Sequence, residues 1–83
     1  MDTEAMADDV IFGAVRDLVR RKHGEDRDVG ADSDLFDDLE LDSLDVAELS
    51  ARLEEQLGTD PYTEGDSPRT IREVLAFYSA SAG

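Results

Sequence analysis

Apolar residues recur at the spacing of an α-helix in three separate segments, and this periodicity limits the fold more than any other feature of the sequence. Side chains three and four positions apart share one face of a helix. The first segment predicts a helix over about residues 8–22, with Asp8 as N-cap or a start nearer Thr3, ending at Gly24. Its apolar stripe comprises Val10, Ile11, Ala14, Val15, Leu18 and Val19.

The second segment predicts a helix over about residues 43–57, and its apolar pattern differs from that of the first. Asp42 is a suitable N-cap and Gly58 a suitable end. The core-facing residues are Val46, Leu49, Leu53 and Leu57. A second face carries Leu44, Ala47 and Ala51 among glutamates, although a purely structural helix usually has only polar residues there.

The third segment predicts a helix over about residues 70–79. Thr70 and Glu73 fit a capping box at its start, and Ser67 followed by Pro68 is an alternative start. Residues 80–83 are expected to fray. Its apolar stripe comprises Ile71, Val74, Leu75 and Tyr78.

The connections complete the predicted fold. The loop over residues 24–41 is long enough to suggest a function, and it has room for one helical turn over residues 34–39. Its apolar residues, which we expect to enter the core, are Leu35, Phe36, Leu39 and Leu41. A short turn or helix is predicted over about residues 61–66. We therefore predict a single all-α domain spanning residues 1–83, a small bundle of three main helices plus one short helix, with a long loop after the first helix.

The charge of the chain excludes several kinds of partner. The net charge is −14, and the segment from Asp32 to Asp60 contains eleven acidic residues but one basic residue, Arg52. Phosphates of nucleic acids or anionic membranes would repel such a surface, whereas basic proteins would be attracted to it. With no apolar run of membrane-spanning length and no basic start typical of a signal peptide, we expect a cytoplasmic monomer that does not insert into membranes.

Ser43 raises a chemical question, because it lies at the predicted start of the second helix without an evident base. A nucleophilic serine usually needs an oriented histidine, and we interpret the one histidine, His23, as a solvated residue at a helix end. Helix N-termini favour phosphate groups, because their backbone N–H groups are free. Either Ser43 only begins a helix, or another protein supplies the chemistry; we expect no catalytic residue in this chain.

The acidic run that begins at Asp32 and Asp34 does not match a calcium-binding loop. An EF-hand requires a third oxygen ligand, a glycine and a terminal glutamate at fixed positions, which Phe36, Asp37 and Ser43 occupy here. Cysteine is absent, which excludes a thiolate zinc site. We therefore predict no metal site.

Residues 39–44, Leu-Glu-Leu-Asp-Ser-Leu, resemble the Leu-Gly-x-Asp-Ser-Leu signature of acyl carrier proteins. The resemblance is strongest over residues 35–58 and extends more weakly through residues 70–75. It implies that Ser43 carries 4′-phosphopantetheine, transferred from coenzyme A by a phosphopantetheinyl transferase with magnesium. The thiol of this arm would hold acyl groups as thioesters for acyl-loading, acyl-transfer or condensing enzymes with basic docking patches.

The resemblance also implies roles for the residues around Ser43. Asp42 would flank and present the serine, and Leu44 would be a hydrophobic contact for partner enzymes unless it folds under the preceding loop. Ala47 and Ala51 would permit close approach of a partner helix. The acidic contacts for partners would be Asp45, Glu48, Glu54 and Glu55.

Departures from the family pattern leave alternatives open. Glu40 stands where the family usually has glycine, so the backbone before the site is expected to differ, and Arg52 interrupts the acidic face. Pro61, Gly65 and Pro68 break up the segment before the last helix. A fatty acid, polyketide or lipopeptide pathway would fit. A peptidyl or D-alanyl carrier is an alternative, and an acidic adaptor that is never modified is a more distant one.

Overall fold

The helical periodicity of the sequence is reproduced by three α-helices in the part of the chain that the computed structural model describes, residues 3–63, 65 and 67–82. They are α1 (Thr3–His23), α2 (Ser43–Leu57) and α3 (Ile71–Ala82). Within this part, extended pairing is limited to one isolated bridge between Asp34 and Thr70. The predicted all-α fold is therefore confirmed.

The helix ends agree with the prediction in part. The first helix begins at Thr3, the second of the two predicted starts, so Asp8 lies inside α1 and is not its N-cap. The last helix continues to Ala82, beyond the predicted end at residue 79. Both extensions consist mainly of residues that tolerate the helix well and contain no glycine or proline. Gly24 does end α1, because its φ of 75° is left-handed and its N–H donates to the Arg20 carbonyl at 2.8 Å.

The core forms where α1 packs against both α2 and α3. The buried faces are the predicted stripes, and Leu49, Leu53 and Ile71 are completely buried. Val10, Leu57 and Leu75, which the stripes also include, are only half-buried at the edge of this cluster. In the described part of the chain, no helix is both long and apolar enough to cross a bilayer.

The long loop is held against the start of α3 by backbone hydrogen bonds. The Leu35 N–H donates to the Arg69 carbonyl and the Arg72 N–H to the Ala31 carbonyl, both at 2.7 Å. The Asp34 carbonyl accepts from the N–H groups of Asp38 and Leu39, each at 3.0 Å, which forms the predicted helical turn. Its apolar anchors Leu35, Leu39 and Leu41 are buried as predicted.

Phe36 departs from the other loop anchors, because it is only half-buried. The guanidinium of Arg69 lies 4.9 Å from the centre of its ring, a cation–π contact. Phe36 therefore packs at the edge of the core, with the charged side chain of Arg69 over its ring.

The segment between α2 and α3 contains a turn over residues 61–63, one of the two forms predicted there, so these residues do not form the short helix of the predicted bundle. Glu64 and Asp66, within the predicted range, lie outside the described residues. Asp60, which the sequence did not single out, is fully buried. Its carboxylate accepts the hydroxyls of Ser50 and Thr63, both at 2.7 Å, and so joins α2 to the turn. Burial raises the pKa of Asp60, but hydrogen bonds from Thr63 and Ser50 outweigh this effect and leave it below its usual value.

We expect Leu49→Ala or Leu53→Ala to lower the free energy of unfolding by about 2–5 kcal/mol, because each removes a fully buried side chain and leaves a cavity. The matched control is Leu44→Ala on the same helix, which should have little effect because Leu44 is 80% exposed. Urea unfolding followed by circular dichroism measures both. A larger loss for Leu44→Ala than for Leu49→Ala would contradict the orientation of α2.

Candidate modification site at the start of the second helix

A reciprocal pair of hydrogen bonds fixes the first residue of α2. The Asp42 carboxylate accepts the Asp45 N–H at 3.0 Å, and the Asp45 carboxylate accepts the Asp42 N–H at 2.9 Å. This is a capping box, with Asp42 as the predicted N-cap. Ser43 is consequently the first residue of the helix and is exposed to solvent.

Lys22, in the last turn of α1, contacts both members of this capping box. Its ammonium group lies 3.0 Å from an Asp42 carboxylate oxygen and 2.7 Å from an Asp45 carboxylate oxygen. The Asp45 N–H and the Lys22 ammonium hold the pKa of Asp42 at about 2. Lys22 thereby ties α1 to the start of α2, a contact over 20 residues that the sequence did not indicate.

The backbone immediately before the capping box is left-handed at Glu40, whose φ is 52°. Glycine adopts this conformation without strain, whereas a residue with a Cβ does not. Glu40 thus adopts a conformation that favours glycine, and the expected difference from the family backbone stays a prediction. Arg27 donates to the Glu40 carboxylate at 2.9 Å and lowers the pKa of Glu40.

His23 also holds this segment in place. Its Nε2 lies 2.9 Å from the Leu39 carbonyl oxygen, and the side chain is half-buried. The interpretation of His23 as a solvated residue is therefore wrong. The imidazole is engaged with the backbone of the loop that precedes Ser43.

The exposed face of α2 displays most of the residues that the sequence assigned to partner contacts. Leu44 is 80% exposed, so it is not folded under the preceding loop. The other exposed members are Ala47, Ala51, Glu54 and Glu55. Glu48 is half-buried, and the Asp45 side chain is only 19% exposed because it serves the capping box and Lys22. These positions agree with a docking face, and their contact with partners stays a prediction.

A groove of about 380 Å³ opens beside Ser43. Its lining residues are Phe36, Ser43, Val46, Tyr62, Ser67, Pro68 and Arg69. The Tyr62 hydroxyl donates to the Pro68 carbonyl at 3.2 Å, and burial raises the Tyr62 pKa. A group attached to the Ser43 oxygen would therefore have a partly apolar surface next to it.

The Ser43 side chain is exposed to solvent, and no base contacts it among the described residues. Among the described side chains, none forms a hydrogen bond with the Ser43 hydroxyl. The arrangement can accept a covalent group from an external donor, since an exposed oxygen at a helix N-terminus is compatible with a phosphodiester.

Comparison with known protein families gives one decisive match. A family model described as the phosphopantetheine attachment site matches residues 13–63, which is more than half of the chain. The chain belongs to this phosphopantetheine attachment family. It is a carrier protein with a covalently attached 4′-phosphopantetheine, and the matched range contains the second half of α1, the long loop and all of α2.

The same comparison bears on the partners of this carrier protein. Attachment of 4′-phosphopantetheine requires a phosphopantetheinyl transferase, and the attached arm serves partner enzymes. A search of the solved structures found no match to this chain. The exposed Ser43 and the groove beside it fit the attached group sterically and chemically.

We expect Glu40→Gly to melt at a higher temperature than Glu40→Ala. Both variants remove the ion pair with Arg27, but only glycine relieves the left-handed backbone at φ 52°. Differential scanning calorimetry of the pair isolates the backbone effect. Equal melting temperatures would show that position 40 carries no strain.

We expect Asp42 to contribute to the stability of the protein above about pH 4 and to lose that contribution as the pH falls. Its folded-state pKa is lowered from 3.8 to about 2, so the unfolded chain binds the proton first and acid favours unfolding. Asp42→Asn is the matched variant, because asparagine is also a good N-cap but has no charge for Lys22. The difference in urea midpoint between the two proteins should shrink from about pH 5 to about pH 2. A constant difference across this range would contradict the ion pair.

Proposed function

We propose that Ser43 is the attachment point of 4′-phosphopantetheine, and that this protein holds acyl intermediates as thioesters for partner enzymes of fatty acid, polyketide or lipopeptide biosynthesis. The observation that carries the proposal is the exposed Ser43 at the first position of α2, inside the region that matches the family model. When attached, the arm supplies a thiol that binds acyl groups as thioesters.

The electrostatic setting of Ser43 supports attachment of a phosphodiester there. The first N–H groups of α2 have no partner within the helix, and the helix dipole favours negative charge at this end. Asp42 and Asp45 are negative, but the ammonium group of Lys22 contacts both of them. The phosphate would therefore meet a site whose nearest carboxylates already have a counter-ion.

The exposed face of α2 supports recognition by several enzymes in turn. Leu44 offers an apolar side chain directly after Ser43, and the small residues Ala47 and Ala51 leave space for a partner helix. Acidic residues at the edge of such a contact increase the association rate more than the affinity. Rapid exchange between partners suits a carrier.

The groove beside Ser43 supports a place for part of the arm or its cargo. It combines the apolar side chains of Phe36, Val46 and Pro68 with the charged Arg69. An attached chain could remove apolar surface from water there while its thioester end stays accessible. Acyl rather than aminoacyl cargo is supported by the Asp42–Ser43 pair and the strongly acidic surface, since peptidyl carriers are usually less acidic around a different core motif.

We expect the apo protein to gain the mass of one phosphopantetheine when incubated with coenzyme A, magnesium and a broad-specificity phosphopantetheinyl transferase. Intact-mass spectrometry measures the gain, and tandem spectrometry of peptides places it on Ser43. Ser43→Ala should abolish the gain, because it removes the accepting oxygen while leaving the Asp42 cap in place.

The matched control for this experiment is Ser50→Ala, which removes another serine of α2 whose hydroxyl donates to the buried Asp60. This variant should still be modified if it folds. Modification at any position other than 43, or no modification of folded protein, would refute the proposed attachment site.

A further inference from the structure

The acidic residues along α2 differ in whether the chain itself supplies their counter-ions. Lys22 contacts both Asp42 and Asp45 at the start of the helix. One turn further, Glu48 lies 3.1 Å from Arg21 of α1 and 3.7 Å from Arg52 of α2. The first half of the acidic face is thus already paired within the protein.

The pairing at Glu48 is part of a network that connects two helices. Arg52 also lies 2.7 Å from Asp17, and Arg21 lies 3.9 Å from the same carboxylate. Two arginines and two carboxylates therefore balance one another across the α1–α2 contact. The Arg52 side chain is only 29% exposed, which favours retention of this geometry over free rotation in solvent.

The second half of the face is different. Glu54 and Glu55 are exposed, and in the described part of the chain neither has an ion-pair partner. Glu55 follows Leu44 by eleven residues, which returns it to the same side of the helix about 16 Å further along the axis. Leu44 and Glu55 thus mark the two ends of one exposed line, with Ala51 between them.

We propose that Arg21 and Arg52 are specificity determinants that compete with the basic residues of partner enzymes for Glu48. The partner that fits has an apolar pocket for Leu44 and a basic residue about 16 Å away, opposite Glu55. A partner whose basic residue lies only one helical turn from the Leu44 pocket contacts Glu48, which Arg21 and Arg52 already neutralise. This inference rests on the proposed function, because the partners are the enzymes that act at Ser43.

The test is the KM of a phosphopantetheinyl transferase for apo protein. Arg21→Gln/Arg52→Gln leaves Glu48 without its counter-ions, so Glu48 is free to pair with a basic residue of the transferase. We expect KM to fall by about twofold to fivefold, which is the change in affinity that one exposed ion pair typically contributes. The change should lie in KM more than in kcat. Adding Glu48→Gln should remove the gain, and Glu55→Gln in the wild-type background should raise KM.

A matched control separates competition for Glu48 from the general increase in negative charge. Arg16→Gln/Arg20→Gln also removes two positive charges, both from α1, but Arg16 lies over Phe12 and Arg20 pairs with Asp26. The proposal requires a clearly larger fall in KM for Arg21→Gln/Arg52→Gln than for this control. An equal fall in both, or a rise in KM for Arg21→Gln/Arg52→Gln, would overturn it.

Folding and attachment are checked separately. If Arg21→Gln/Arg52→Gln does not fold, the single variant Arg21→Gln is measured against Arg20→Gln, because Arg21 is 56% exposed.

If no variant accepts phosphopantetheine, the proposed function fails by itself. The same proteins are then titrated with an amphipathic helical peptide of leucine and arginine, followed by ¹⁵N chemical shifts. The same order of affinities supports the competition, and affinities that follow net charge alone reject it.

Discussion

The capping box between Asp42 and Asp45 is the interaction on which the site depends. A helix rotates by about 100° for each residue, so a helix that begins at Ser43 and buries Val46, Leu49 and Leu53 has fixed directions for Ser43 and Leu44. With Asp42 as N-cap, Val46, Leu49 and Leu53 are buried, while Ser43 and Leu44 are exposed. Lys22 strengthens this constraint by tying the cap to α1.

The second helix serves the core and the surface at once, which explains its unusual pattern of apolar residues. One face supplies leucines to the bundle, and the opposite face keeps an exposed leucine and two alanines. Exposure of Leu44 contributes nothing evident to folding, and it is the largest exposed apolar side chain among the described residues. A contact with other proteins gives this residue a physical role.

The protein provides a position and an electrostatic field, and the proposed chemistry comes from other molecules. The Ser43 hydroxyl has no described hydrogen bond to a base, and the long loop that leads to it is held by Leu35, His23 and Arg27. A rigid approach to an accessible hydroxyl suits a site that several enzymes must find. Because Arg21 and Arg52 pair with Glu48, net charge alone does not describe the surface that a partner contacts.

Much of the fold and the candidate site could be predicted from the sequence, because these features depend on nearby residues. Apolar spacing, the Asp42 and Thr70 caps and the glycine at 58 act over one or two turns. The sequence predicted a turn or short helix over residues 61–66, and the described residues 61–63 form a turn. It left the start of α1 between Thr3 and Asp8 and placed the end of α3 too far inward, because weak local preferences decide fraying.

By itself the sequence determined three helices, the exposed serine at the start of the second and the acidic surface around it, since periodicity, capping and composition are local or additive properties. Only the tertiary structure decided the pairing of Lys22 with the capping box, the network of Arg21 and Arg52, the buried Asp60 and the left-handed Glu40. These depend on the rotation and axial register of α1 against α2 and on how the loops return. Helical periodicity identifies the faces that meet but leaves that register open, so contacts between residues 20 to 35 positions apart follow only from the packed fold.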